Sequence, residues 1–430
     1  MIIYVVREGD TVTGIAAATG SSVERVLRDN GLTAESVLVP GQALVILQPN
    51  ITHTVAEGDT LLGIAERYGV SPKELLANNP SLNGREFLYP GETLVIDYVT
   101  NTERRELAVN GYAYPYIDRE ILRKTLPYLT YITMFTYGFT ENGDLIGIDD
   151  EEVIRIAKQY QVAPLMLLST LTEGGTFSNE LASRIFENAE ARNRLFDQIL
   201  ENLRVKGYYG LDVDFEFVLP RDKENYVQFL TELKARLEPE GYPLFTALAP
   251  KTSGEQEGLL YEAHDYPAIG EIADYILLMT YEWGYTYGPP MAVSPLNKVR
   301  EVLDYGVSVI SREKILQGIP NYGYDWTLPF VRGTSMARSI GNVEAVEIAM
   351  RYRATILYDE VAATPFFYYT GEDGRAHVVW FEDARSIQAK LLLNESYPLH
   401  GISYWNIMRD FPQNWLVVND MFRIMNIYLP

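Results

Sequence analysis

The sequence predicts an α/β protein in three parts: two small βααβ modules, then a (β/α)8 barrel carrying a small α+β insertion. Three observations lead there: a self-match within residues 1–100, a change of texture near residue 103, and eight apolar runs beyond it separated by amphipathic stretches. They set expected units of 1–48, 52–98 and 103–430, with the insertion at approximately 327–398.

The self-match aligns "YVVREGDTVTGIAAATGSSVERVLRDN" (4–30) with "HTVAEGDTLLGIAERYGVSPKELLANN" (53–79), and "VPGQALVI" (39–46) with "YPGETLVI" (89–96). A match this long marks a duplication. Each copy reads strand, helix, helix, strand. A Gly-Asp-Thr turn caps the first helix and Gly20 or Gly69 closes it. In the second copy Ser71-Pro72-Lys73-Glu74 has the form of a capping box with Pro at the first helical position. On residue chemistry alone these Gly, Asp and Asn residues need do no more than cap and turn. The pattern resembles the LysM module over both copies. The resemblance implies binding of N-acetylglucosamine polymers, peptidoglycan or chitin, between the loop after the first strand and the loop after the second helix. It points to Gly9, Asp10, Thr11 and Asn30, and to Gly58, Asp59, Thr60 and Asn79.

Composition narrows the function. Apolar residues make up 47% and aromatics 12% of the 430 residues, enough for a large core, and 31 Tyr against 16 Phe suit surfaces that are flat and hydrogen-bonding together. A formal charge of -22 argues against nucleic acid or anionic membrane as partners. There is no cysteine, hence no disulfide or thiolate chemistry. Four scattered histidines (His53, His264, His377, His400) give little material for a metal centre or a serine-type triad. No metal and no cofactor is expected. The start "MIIYVVREGDTVTGIA" lacks a basic n-region and an apolar h-region, so no signal peptide is expected, and no stretch is long and apolar enough to span a membrane.

The eight candidate strands begin at "LAVNGYAY" (107), "YITMFTYGF" (131), "APLMLLST" (163), "YYGLDVDFEFV" (208), "PLFTALAP" (243), "ADYILLMTYEW" (273), "KILQGIPNYG" (314) and "HGISYWNI" (400). Helical patterns such as 192–207 and 225–241 lie between them, so a closed barrel is the economical arrangement. The long gap before the last strand contains "TPFFYYTGEDGRAHVVWFED" (364–383), which reads as a hairpin forming one wall of a cleft.

The fourth run places Asp212, Asp214 and Glu216 on one face of a strand, with Leu211, Val213, Phe215 and Phe217 on the other. In a barrel the apolar set packs under the helices and the acids point inward, the last nearest the C-terminal mouth. Like charges about 6.5–7 Å apart at the Cα level cannot all ionise cheaply when buried, so one should hold a proton near neutral pH and serve as a general acid. A solvent-facing acidic strand is disfavoured by the apolar flanks, and a calcium site by the missing loop glycine.

D-x-D-x-E on the fourth strand, "LMTYE" on the sixth, "GIPNYG" on the seventh and "GISYW" on the eighth together resemble glycoside hydrolase family 18, over nearly all of 103–430. The resemblance implies a retaining mechanism in which the substrate's own 2-acetamido oxygen attacks the anomeric carbon. Glu216 would be the acid and base. Asp214 would orient the acetamido group, and Asp212 would tune Asp214. Tyr281 of the Met279-x-Tyr281 motif would hydrogen-bond the acetamido oxygen, Trp405 would floor the sugar, and Tyr112, after the first-strand glycine, is a further cleft candidate. The sequence departs from the family at Tyr209 and Glu282, where aspartate is usual, at Phe215 in place of tryptophan, and at "STLT" (169–172) on the third strand.

Two LysM-like modules before such a barrel resemble the spore-cortex-lytic N-acetylglucosaminidases. That implies action on cortex peptidoglycan fragments during germination, with the modules as tethers, in a protein made in the mother cell without a signal peptide. The competing readings are a chitinase or chitooligosaccharide hydrolase, and a non-catalytic sugar-binding spore protein. Oligomeric state is not legible.

Overall fold

The computed structural model describes residues 1–82, 85, 87–99, 104–171 and 177–427. Thr172, the last residue of the altered third-strand segment, lies outside the described residues, as does the expected barrel start at 103.

Both repeats are βααβ. The first runs Ile2–Val5, Val12–Thr19, Val23–Asp29 and Ala43–Ile46, and the second Pro49–Thr54, Leu61–Tyr68, Pro72–Asn78 and Thr93–Tyr98. In each, the two strands pair antiparallel. Thr11 and Thr60 cap the first helices by accepting from the N–H of Gly14 and Gly63, and the Ser71–Glu74 capping box is formed in both directions.

Eight parallel strands close the barrel: β1 (Glu106–Ala113), β2 (Tyr131–Phe139), β3 (Ala163–Ser169), β4 (Gly210–Asp214), β5 (Leu244–Leu248), β6 (Tyr275–Leu278), β7 (Ile315–Pro320) and β8 (Gly401–Trp405). Each pairs with the next, and β8 pairs back onto β1 through Gly401–Ala108 to Tyr404–Gly111. Leu211, Val213 and Phe215 pack outward under the helices, where Phe215 stacks on Tyr226 at 5.8 Å. Inside the N-terminal end, Tyr131, Tyr209, Phe245, Tyr275 and His400 form an aromatic plug. Tyr209 thus fills with a ring the position where aspartate is usual in the family it resembles.

Two sequence expectations are corrected. Strand β4 ends at Asp214, and Phe217 has φ +57° and is 38% exposed, so it does not join the apolar face. The chain leaves the sheet there and the alternation stops. The insertion is also larger than one hairpin and sits earlier than 327–398. It comprises five antiparallel strands (Gly323–Thr327, Arg338–Ile340, Leu357–Asp359, Thr364–Thr370, Ala376–Trp380) and the helix Asn342–Tyr352. The helix Ala384–Ser396 belongs to the barrel instead, because it buries Ile387, Leu391 and Leu393 in the barrel's outer core.

The repeats are packed against the rest of the chain. Val45, Leu47, Ala77, Val95 and Tyr98 share the barrel's core cluster, and Val39 enters the core of the insertion beside Ile356, Phe367 and Val379. A Cβ on Gly41 (φ +83°) would lie 1.8 Å from the Ile356 carbonyl oxygen, so this approach needs glycine. Arg385 donates to the Gly41 carbonyl at 3.0 Å, and Gln413 donates to Asn30 Oδ1 and the Ala43 carbonyl. Under the second repeat, Lys73 Nζ donates to the Leu129 carbonyl at 2.5 Å, Tyr128 to the Ala77 carbonyl, and Asn419 to Asn78. Burial pushes the Lys73 amine down to about 7.

This packing predicts that calorimetry of the whole chain gives one cooperative transition. Removing residues 1–100 should lower the Tm of what remains by several degrees, since it strips apolar cover from the barrel. An unchanged barrel Tm would mean the repeats are independent appendages.

Candidate active site

The site is built where β4 leaves the sheet. Asp212 and Asp214 point into the barrel and are 2% and 5% exposed, while Glu216 stands just beyond the strand end, half-buried, at the mouth. Tyr112, from β1, donates its hydroxyl to Asp212 Oδ2 at 2.6 Å. Among the described residues Asp212 Oδ1 and Asp214 Oδ1 are buried with no hydrogen-bond partner, so each is costly to bury as an anion and a proton lowers that cost.

The electrostatics follow from burial. Desolvation raises Asp212 to about 7 against the opposing effect of the Tyr112 hydrogen bond. Asp214 is held well above the usual carboxylate range by desolvation, then by the charges of Glu216 and Asp212. Glu216 is raised to about 7 by desolvation and by Glu282. The row therefore retains protons near neutrality, shared among coupled carboxyls, and its outermost member faces the cleft.

The turn that aims Glu216 is clamped by His264, which sequence reasoning did not single out. Its Nδ1 accepts from the Ala249 N–H at 2.8 Å, which leaves Nε2–H to donate to the Phe215 carbonyl at 3.1 Å. Burial pushes this imidazole down to about 4, so it stays neutral. No local signal in the sequence marks it.

Asp214, Glu216, Tyr112, Met279, Tyr281, Glu282 and Trp405 all line one cleft of about 620 Å³. Every barrel candidate exposed to a ligand is thus brought together, with Asp212 directly behind. Tyr281 is 9% exposed, and burial followed by the charges of Asp214 and Glu216 raises its hydroxyl, so it remains a donor. Trp405 packs edgewise on Phe135 at 4.8 Å and near Tyr112 at 5.6 Å, leaving it partly open to the cleft. Glu282, at φ +67°, accepts from the hydroxyls of Tyr322 and Tyr324. Those tyrosines sit two apart in "NYGY", on one face, a spacing that could have flagged them. The longer glutamate is therefore used against the insertion.

The repeat candidates divide. Asn30 and Asn79 are buried, 7% and 6% exposed, and each donates to two carbonyls and accepts from the N–H of Val45 or Val95. Their polar atoms hold helix to strand, so they are corrected from ligand contacts to structural ties. Gly9 and Gly58 are exposed at φ +84° and +87°; Asp10 and Asp59 close the same turn by accepting from the N–H of Arg7 and Ala56. Thr11 and Thr60 serve as the helix caps. A cavity of about 820 Å³ between the second repeat and the barrel is lined by Thr60, Lys73, Arg85 and Arg123 but holds none of the three acids.

Residues 96–410 match the model of glycosyl hydrolases family 18, and residues 4–47 and 53–97 match the LysM domain. The chain belongs to glycosyl hydrolase family 18. It is 40% identical to the cortical fragment-lytic enzyme of Bacillus subtilis (strain 168), over 99% of each chain. It is also similar to the crystal structures of the spore cortex-lytic enzyme SleL from Bacillus cereus (38% identity, TM-score 0.84, 99% and 98% of the chains) and from Bacillus megaterium QM B1551 (39%, 0.84, 99% and 99%). A family 18 barrel with two LysM modules is a glycosidase, and the family 18 motifs lie at the C-terminal mouth as expected.

The raised Asp212 gives a test by stability. Its folded-state value lies above the usual 3.8, at about 7. The folded chain then holds a proton that the unfolded chain has lost, and stability falls as pH rises between those two values. Asp212→Asn keeps an acceptor for Tyr112 and removes this cost. Its Tm relative to the parent should therefore climb from pH 4 to pH 7 and level off above; a pH-independent difference would mean Asp212 is ionised throughout.

Proposed function

We propose that this chain is a retaining, substrate-assisted N-acetylglucosaminidase that cuts spore-cortex peptidoglycan fragments during germination. The observation that carries the chemistry is the row itself: a proton-holding Glu216 at the cleft wall, with Asp214 and Asp212 buried in line behind it. The full-length similarity to proteins described as cortical fragment-lytic supports the substrate.

In this reading Glu216 gives its proton to the glycosidic oxygen as the bond from C1 breaks. The 2-acetamido carbonyl oxygen of the same sugar attacks C1 from the opposite face, forming an oxazolinium ion. Asp214 accepts from the acetamido N–H and balances the positive charge that develops. Asp212, sharing protons with it, sets when Asp214 is ionised. Tyr281 donates to the acetamido oxygen, and Trp405 lies under the ring, with Met279, Tyr112 and Glu282 bounding the pocket. Glu216, now a carboxylate, takes a proton from the water that opens the ion. Two inversions at C1 give retention.

The acetamido group must belong to the sugar over Trp405, and N-acetylglucosamine in peptidoglycan provides it. The LysM modules contribute wall binding through their exposed Gly-Asp-Thr turns, and the protein acts at the spore cortex, where it is deposited from the mother cell.

Digestion of purified cortex fragments, reduction with borohydride and mass spectrometry should reveal reduced N-acetylglucosamine ends. Reduced muramic ends would make the activity a muramidase, and cleavage of chitin oligomers alone would make it a chitinase. Glu216→Gln should lower turnover by roughly 10² to 10⁴. Near-parental turnover in that variant sinks the assignment of the acid.

A further inference from the structure

A second lobe opens from the cleft on the far side of Trp405 and Glu282. It measures about 350 Å³, and Tyr114, Glu282 and Trp405 line both it and the catalytic cleft. A saccharide lying over Trp405 therefore extends from one into the other.

The two walls of the lobe differ in chemistry. One is a pair of stacked rings: Tyr114 and Tyr116 lie 5.2 Å apart at 26°, and Tyr116 is 75% exposed. Such ring faces suit the apolar face of a sugar. The other wall holds a cation, Arg409. Its Nη1 donates to Ser339 Oγ at 3.0 Å and its Nη2 to the Ser339 carbonyl at 3.4 Å. A guanidinium carries five N–H donors, so these two contacts fix it without exhausting it.

Among the described residues no carboxylate pairs with Arg409. The charged groups flanking it are engaged elsewhere: Arg338 with Glu344 and Asp325, and Asp410 with Lys124. Glu282, on the inner wall, is taken up by Tyr322 and Tyr324. The backbone under Arg409 is fixed too, since Asn321 Nδ2 donates to the carbonyls of Asn406 at 3.0 Å and Arg409 at 2.9 Å.

An unpaired guanidinium is informative in this setting. The chain carries a net charge of -22, so an anionic saccharide is repelled except where a cation offsets the field. Arg409 supplies that offset in the lobe that Trp405 also lines, and the N–H groups it does not spend on Ser339 are donors for a carboxylate.

We propose that this lobe is a subsite for the carboxylate of an acidic amino sugar, the lactyl group of muramic acid or the short peptide acid it bears, with Arg409 as its partner. The proposal rests on the glucosaminidase reading above and adds the specificity of the neighbouring site. Arg409 is a binding residue and takes no part in bond cleavage.

The test compares two fragments of equal length, one with a free muramic carboxylate and one with the neutral lactam in its place. Arg409→Gln should raise KM for the acidic fragment roughly tenfold, the scale of one lost charge-assisted hydrogen bond, with kcat nearly unchanged and the neutral fragment little affected. Arg409→Lys should recover most of the loss. Added salt should weaken the parent's binding of the acidic fragment, whereas in Arg409→Gln, where only repulsion is left to screen, it should no longer weaken it. Equal changes on both fragments would overturn the subsite and reduce Arg409 to a staple between the eighth strand's loop and the insertion. Ser339→Ala, which removes one anchor and keeps the charge, should preserve the preference of the parent; loss of that preference would also overturn the proposal. A parent protein that cleaves neither fragment, yet cleaves chitin oligomers, would overturn the glucosaminidase reading, and the subsite with it.

Discussion

Placing three carboxyls in file inside a closed barrel is the constraint on which the rest of the molecule depends. An isolated buried carboxylate is costly, and a row of them costs more unless protons are shared. The surroundings are organised around that cost. Tyr112 reaches from the first strand to solvate Asp212, the outward residues Leu211, Val213 and Phe215 fix the strand against its helices, and His264 clamps the turn beyond. The same cost raises Glu216 to about 7, so the energetic burden and the proton that the proposed acid role requires share one origin.

Much of this was legible because period and repetition leave marks in sequence. Alternation over 211–215 told the inward face from the outward, and the offset copies told two modules from one. The eight strands appear where their apolar runs stand. What could not be read was where a pattern stops. Phe217 continues the alternation in sequence, but the backbone turns into the left-handed region there, and no residue type announces it. Asn30 and Asn79 look like loop polars available to a ligand; only the tertiary fold reveals that each bonds a strand of its own repeat. The insertion was under-read because its strands Arg338–Ile340 and Leu357–Asp359 are three residues each, too short for a period to register.

The insertion ties these strands of argument together. It contributes Tyr324, which with Tyr322 just before it holds Glu282, and Ser339, which holds Arg409, so one wall of the cleft is furnished from outside the barrel strands. Glycosidases of one fold vary in specificity through such additions, because the barrel strands are committed to the bond-breaking groups. Here the added sheet is itself braced from behind by the first repeat, through Val39 and the contact at Gly41.

That brace has a geometric consequence. A module on a loose linker can search a sphere and deliver a chain to the mouth from any side. One whose side chains lie within the cores of its neighbours cannot. On the proposed reading, a strand held by the repeats would meet the barrel at a single bearing and a single offset, and the distance between grip and cut would be set by the protein as by a jig and counted in whole sugars.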